Sequence, residues 1–240
     1  MIRTLIWFIY FWFYLFLSLP DLIRIKYLAR KGQETKLNTI LFNKVGKWAR
    51  SLVRLAGGKV AVTGGENVPS SGPVLFVSNH QGNFDIPILL GFITKPKAFI
   101  AKMETKKLPL VSFWMTFMKC IFIKRDNLRQ SLKAIQQGAE ALTSGQSLVI
   151  FPEGTRSKSS QLGAFKPGSF KLALEAQVPI IPVTINGSYK LMERQGIIIQ
   201  PAKVEVVIAA PVFPPEKITA QELASQIREI IKTNLKETPA

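Results

Sequence analysis

The chain has one histidine and one cysteine in 240 residues, and acidic residues are scarce beside basic ones. A lone cysteine excludes an internal disulfide framework. With a lone histidine beside it, it cannot assemble the usual zinc ligand set either. No run of carboxylates suggests an oxygen-liganded metal, so no metal and no resident cofactor is expected. A G-x-S-x-G elbow is missing, which argues against a serine hydrolase. Internal repeats and low-complexity tracts are absent. The scarcity of Asp and Glu (15 against 32 Lys and Arg) leaves a net charge of +17. Such an excess implies an anionic partner: nucleic acid, an anionic membrane face or an acidic protein. Length and a 47% hydrophobic content fit one domain with an appendage and an ample core.

The single histidine stands in Ser78-Asn79-His80-Gln81-Gly82-Asn83-Phe84-Asp85. An apolar run, Pro73 to Val77, precedes this stretch, and another, Ile86 to Leu90, follows it. His80 is therefore expected where a buried strand gives way to a loop or helix, the usual place for chemistry in an α/β domain. Asp85, across a Gly-Asn turn, can fold back toward the imidazole. A carboxylate on one ring nitrogen fixes the tautomer and leaves the other nitrogen to take a proton. The plainer alternative is a core or capping histidine, with Asp85 as a helix N-cap.

Leu5 to Leu19 is apolar and aromatic apart from Ser18, and Pro20-Asp21 closes it. As a helix it spans roughly 22 Å, short of a hydrocarbon core of roughly 30 Å. Its ten Leu, Ile and Phe residues favour insertion by roughly 3–6 kcal/mol. No small-x-small site suits a cleaved signal peptide. Arg24, Lys26, Arg30, Lys31 and Lys36 would hold the following side in the cytoplasm. Leu41, Val45, Trp48, Leu52 and Leu55 then share one helical face, with Lys44, Lys47, Arg50 and Arg54 elsewhere. Such a helix lies on an anionic membrane or packs on its own domain. Residues 1–56 are expected to form a two-helix membrane device, and residues 57–240 the α/β domain.

From Lys59 short apolar runs alternate with helical stretches. Strands are expected at Val60–Val62, Val74–Ser78, Ala98–Ala101, Ile121–Ile123, Leu148–Phe151, Ile180–Ile185 and Val204–Ile208. Helices fit Ile86–Ile93, Asn127–Ser144, Gly168–Ala176 and Thr219–Lys236. This alternation argues an α/β fold with helices flanking a mostly parallel central sheet. Lys106 to Lys119 is apolar on nearly every side and flanked by lysines. It reads as a buried helix or as the wall of a pocket for a long hydrocarbon.

Phe151-Pro152-Glu153-Gly154-Thr155-Arg156-Ser157 follows an apolar strand and is turn-rich. Glycine lets backbone approach a ligand, and arginine offers phosphate a bidentate fork. Arg125 and Lys102 end two further strand candidates, so several cations could converge on one anionic group near His80.

Four segments occur in the order of the acyltransferase blocks of the 1-acyl-sn-glycerol-3-phosphate acyltransferase family. They are Asn79-His80 with Asp85, Ile121 to Arg125, Phe151 to Ser157, and Val178-Pro179-Ile180-Ile181-Pro182-Val183. Gly65-Glu66-Asn67-Val68-Pro69 and Phe165-Lys166-Pro167-Gly168 match the connecting text. The chain resembles that family from about Val60 to Phe213, and its N-terminus resembles the family's membrane-embedded helix pair.

The resemblance implies His80 as general base, oriented by Asp85, taking the proton from a glycerol hydroxyl that attacks a thioester. Lys102, Arg125, Glu153, Gly154, Thr155 and Arg156 would hold the phosphoglycerol acceptor. Glu153, repulsive to phosphate on charge alone, would bond the acceptor's hydroxyls or brace an arginine. Two positions depart from the family pattern: Gly82 replaces the usual Ser, and Lys124 replaces a frequent Asp.

The expected partners are lysophosphatidic acid, acyl-ACP or acyl-CoA as co-substrate, and anionic membrane lipids. The expected location is the bacterial inner membrane, with the catalytic domain on the cytoplasmic side. Glycerol-3-phosphate, another lysophospholipid or an aminoacyl lipid are alternative acceptors. A non-enzymatic basic membrane-surface protein is the other class. Nucleic acid is not expected as a partner, because the aromatic residues lie in the anchor and the apolar stretches rather than interleaved with a basic face. An acyl-enzyme on Cys120 is disfavoured by its apolar surroundings and the lack of a second histidine.

Overall fold

The computed structural model describes residues 1–124 and 127–236, with the backbone alone at Leu128. At its centre lie β1 (Gly58–Thr63), β2 (Leu75–Ser78), β3 (Ala98–Lys102), β4 (Ile121–Ile123), β5 (Leu148–Ile150), β6 (Ile180–Asn186) and β7 (Ala202–Ile208). All seven match the expected strands to within two residues at each end. They form one sheet in the order β1-β7-β6-β2-β5-β3-β4. Every neighbouring pair is parallel except β6 with β7. The C-terminal ends of β2, β3 and β5 therefore open on one edge, where an α/β sheet usually places its ligands.

The central strands β2, β5 and β6 are buried on both faces, which is why they read as apolar runs, whereas β1 and β7 alternate. Phe76, Val149 and Ile181 share one core with helices α3 (Glu34–Leu55) and α4 (Asp85–Phe92). Leu75, Leu148 and Ile180 face the opposite way, as the period of two requires. Helices α6 (Leu128–Thr143), α7 (Lys171–Ala176) and α8 (Ala220–Thr233) cover that second face. A Thr219–Glu222 capping box starts α8. The expected helix from Gly168 begins as a 3-10 turn over Pro167–Phe170 and becomes α-helical only in α7. Past the C-terminal end of α4, buried Lys97 donates from Nζ to the carbonyls of Ile93 at 2.6 Å and Lys95 at 2.9 Å. Burial pushes its ammonium down to about 7.

Residues 1–56 contain three helices rather than two: α1 (Ile2–Leu17), α2 (Leu19–Arg30) and α3. The break falls at Ser18, whose hydroxyl bonds the Leu15 carbonyl at 2.7 Å. Pro20, in the first turn of α2, lacks the N–H that a continuous helix would need. No single helix among the described residues is long and apolar enough to cross a membrane. The α1–α2 pair, bent by 41°, passes that test together by length and composition.

The apolar face of α3 (Leu41, Val45, Leu52) is buried in the same core as the sheet, so that face is covered by protein. Helix α1 is tied down on one side only. Trp7 Nε1 donates to the Leu52 carbonyl at 2.9 Å, and Tyr10 to Ser51 Oγ at 2.8 Å. Its other side leaves Leu5 62%, Ile9 59% and Phe16 62% exposed. Of the stretch between Lys106 and Lys119, α5 (Val111–Phe117) buries Trp114 but exposes Phe113 and, before the helix, Leu108. A wholly buried helix there is thus ruled out.

Candidate active site

Three segments meet at the C-terminal edge of the sheet. Residues 79–85 follow β2, residues 151–158 follow β5, and the turn at 186–188 follows β6. Asn79 leaves β2 but continues its pairing. Its amide donates to the Ile185 carbonyl at 2.9 Å and accepts from Ile185 N–H at 2.7 Å. One side chain thus mimics a ladder pair and fixes where the turn begins.

Within the turn, His80 Nδ1 lies 2.7 Å from Asp85 Oδ2. The same oxygen accepts the N–H groups of Gln81 at 2.7 Å and Gly82 at 2.8 Å. Asp85 Oδ1 accepts from the hydroxyl of Ser188. Asp85 is wholly buried and accepts from four donors, so neither carboxylate oxygen is left without a partner. An acceptor-only carboxylate makes Nδ1 the protonated nitrogen, so Nε2 holds the free lone pair. The N-cap of α4 is Phe84 and Asp85 is its first residue, so the capping role weighed for Asp85 is not the one it has. The ring of Phe151 stacks on the imidazole at 3.9 Å and 15°, which fixes its second torsion.

The backbone of His80 is held by the loop after β5. Glu153 Oε1 accepts His80 N–H at 2.7 Å, while Ser157 N–H donates to the His80 carbonyl at 2.8 Å. Lys158 N–H donates to the Gln81 carbonyl at 3.1 Å. Glu153 Oε2 accepts Gly163 N–H at 2.9 Å. Both Glu153 oxygens therefore rest on backbone amides, and the arginine that it was expected to brace is not among these partners. Burial pushes its carboxyl up, against the pull of those two N–H groups.

The other expected residues are placed less evenly. Arg156 reaches back to the turn, where Nη1 donates to Asn83 Oδ1 and lies 3.3 Å from Glu193 Oε1. Gly154, at φ +73°, lies where a Cβ would crowd Lys166 Nζ at 3.0 Å, so glycine here admits a further cation. Thr155 and Lys102 are exposed, Lys102 at the end of β3 on the same edge of the sheet. Arg125 lies outside the described residues. Among the described residues no group of three or more His, Cys, Asp or Glu is placed to hold a metal ion. Burial pushes the Cys120 thiol up to about 11, which makes it a poor nucleophile at neutral pH.

Four participants were missed in the sequence: Ser188, Gln81, Phe151 as a ring partner, and Glu193. Gln81 Oε1 accepts Gly187 N–H at 2.8 Å and so ties the His80 turn to the turn after β6. The only sequence signal was Asn186-Gly187-Ser188, a turn-forming triplet separated from the fourth block by two residues. On the far side, Phe84 is buried and its ring lies 5.4 Å from that of Trp7 in α1.

The acyltransferase family model matches residues 59–186. A probable 1-acyl-sn-glycerol-3-phosphate acyltransferase of Mycoplasma pneumoniae is 38% identical over 210 residues, covering 81% of this chain and 78% of the relative. Its counterpart in Mycoplasma genitalium is 34% identical, covering 80% and 76%. The crystal structure of the 1-acyl-sn-glycerophosphate (LPA) acyltransferase PlsC from Thermotoga maritima superposes with a TM-score of 0.84 at 30% identity. That match covers 97% of this chain and 95% of the other. With the His80–Asp85 pair set at the sheet edge and these likenesses along most of its length, the chain belongs to the 1-acyl-sn-glycerol-3-phosphate acyltransferase family and is an enzyme of that class.

Proposed function

We propose that the protein transfers an acyl chain from acyl-ACP or acyl-CoA to the sn-2 hydroxyl of lysophosphatidic acid, giving phosphatidic acid for phospholipid synthesis. The observation that carries this is the imidazole of His80, gripped through Nδ1 by buried Asp85 with Nε2 left as base. Nε2 takes the hydroxyl proton as the oxygen forms a bond to the thioester carbonyl carbon. The tetrahedral intermediate collapses, the C–S bond breaks, and the thiolate leaves with the proton returned by His80. A base so placed contributes about 10²–10⁴ in rate. Arg156, Lys102, Arg125 and the Glu153–Thr155 backbone receive the acceptor's phosphoglycerol. The scheme calls on no resident cofactor.

The outward face of α1 enters the bilayer, and the basic residues from Arg24 to Lys36 meet anionic headgroups. On this reading the catalytic domain lies on the cytoplasmic side of the bacterial inner membrane. A surplus of positive charge would also steer an acidic carrier protein, and no role for nucleic acid is needed to account for it.

The test is phosphatidate formation by purified protein in vesicles, offered lysophosphatidate with acyl-ACP and with acyl-CoA in parallel. Wild type should form product with at least one donor and His80→Ala should form none. Product that survives His80→Ala would overturn the base assignment. No product with either donor would overturn the acceptor.

A further inference from the structure

Glu193 lies in a short 3-10 turn over Glu193–Gln195, outside the four blocks that define the site. Its side chain is only 4% exposed. Oε1 accepts Asn83 N–H at 2.7 Å and faces Arg156 Nη1 at 3.3 Å. Asn83 in turn accepts from that same Nη1 and donates from its amide to Met192 Sδ at 3.5 Å. Glu193 Oε2 is buried without a hydrogen-bond partner. A carboxylate oxygen left dry is costly, and natural proteins keep such a group where it does something else.

The niche it occupies is made by Gly82. A Cβ built on Gly82 would overlap Oε2 and lie 2.8 Å from Glu193 Cδ. Gly82 is not among the residues with positive φ, so it is the room, not the backbone angle, that requires glycine. The departure from the family's serine at position 82 and the carboxylate at position 193 are one feature seen from two sides.

The geometry points to Glu193 as the positioning residue for the phosphate-binding arginine, an inference that rests on the function proposed above. From the Gly82 niche it grips Arg156 at Nη1 together with Asn83. Among the described residues Nε and Nη2 take no partner, which leaves the Nε–Nη2 edge to donate to two phosphate oxygens. Arg156 is a long, part-exposed side chain (37%), so a clamp formed before substrate arrives removes ordering entropy that binding would otherwise cost. A competing anion that the phosphate must displace would more plainly be an exposed, loosely held carboxylate. Glu193 is buried and fixed to a backbone amide.

The experiment measures acceptor KM, donor KM and kcat for wild type, Glu193→Ala, Glu193→Gln, Gly82→Ala and the Gly82→Ala/Glu193→Ala double variant. Melting curves accompany each. Glu193→Ala should raise the acceptor KM about tenfold with kcat and donor KM within about twofold. Glu193→Gln, which keeps an acceptor for Asn83 N–H, should recover most of that loss. Gly82→Ala should reproduce the Glu193→Ala phenotype by pushing the carboxylate aside. The double variant should be no worse than either single one. An unchanged or lowered acceptor KM in Glu193→Ala overturns the inference alone, as does a loss in kcat and donor KM together. Wild type without phosphatidate overturns the proposed function and the clamp with it. If Glu193→Ala melts too low to assay, Gly82→Ala decides by the same criterion.

Discussion

The turn at 79–85 and helix α1 treat water in opposite ways. Around Asp85 the side chains are dry and nearly every polar atom has a partner inside the protein. Along α1, large apolar side chains from Leu5 to Leu17 face outward in quantity, far beyond the scattered exposed Leu of an ordinary surface. Folding satisfies nearly all of the first region, with Gln81 Nε2 and Glu193 Oε2 as exceptions, and leaves the second unfinished. The sheet edge is largely completed by its own chain, whereas the outward face of α1 is covered by none of the described residues.

Breaking each side of that contrast should give distinct losses. Asp85→Ala removes the orienting carboxylate and leaves four donors unpaired, so kcat should fall about a thousandfold or more. A pH–rate profile would show whether what remains still depends on His80. On the other side, Leu5→Ser, Ile9→Ser and Phe16→Ser combined should abolish sedimentation with vesicles. Each outward side chain is worth about 1.5–3 kcal/mol on burial, and the three touch little of the core, so the circular dichroism spectrum should hold. Ser188→Ala, which takes one donor from Asp85, should cost about tenfold in kcat with KM for both substrates unchanged.

A separate effect, on stability rather than on rate, concerns Lys97. Its folded pKa is depressed to about 7, against about 10.4 when unfolded. Between those values the unfolded chain binds more protons, so stability rises with pH across that window. The slope is at most about 1.4 kcal/mol per pH unit. Below pH 7 and above about 10.4 the lysine adds no slope. Lys97→Met should flatten this rise in urea melts taken at intervals from pH 7 to 10.

The central strands β2, β5 and β6 were legible because each is buried on both faces and so reads as an apolar run. The His80–Asp85 pair was legible because its members are five residues apart. Glu153 was marked but its partners were not, since His80 lies 73 positions before it. Ser188 reaches Asp85 across 103 positions, and nothing local to a serine after a strand announces that. The break at Ser18 was hidden for a different reason. Pro20 read as the end of a helix, yet proline in a first turn equally begins the next one. The fate of α3 needed the structure as well, because an amphipathic face looks the same whether a membrane or a sheet covers it.

The contact between Trp7 and Phe84 joins the two contrasted regions, for Trp7 belongs to α1 and Phe84 to the catalytic turn. With α1 in the bilayer as proposed, the base rides at a set height over the headgroups and cannot tilt independently of its anchor. The acceptor then arrives by lateral diffusion, and the enzyme senses its mole fraction in the leaflet rather than its amount per litre. Diluting lysophosphatidate with inert phospholipid, at constant bulk concentration, should slow the reaction as a fall in substrate would.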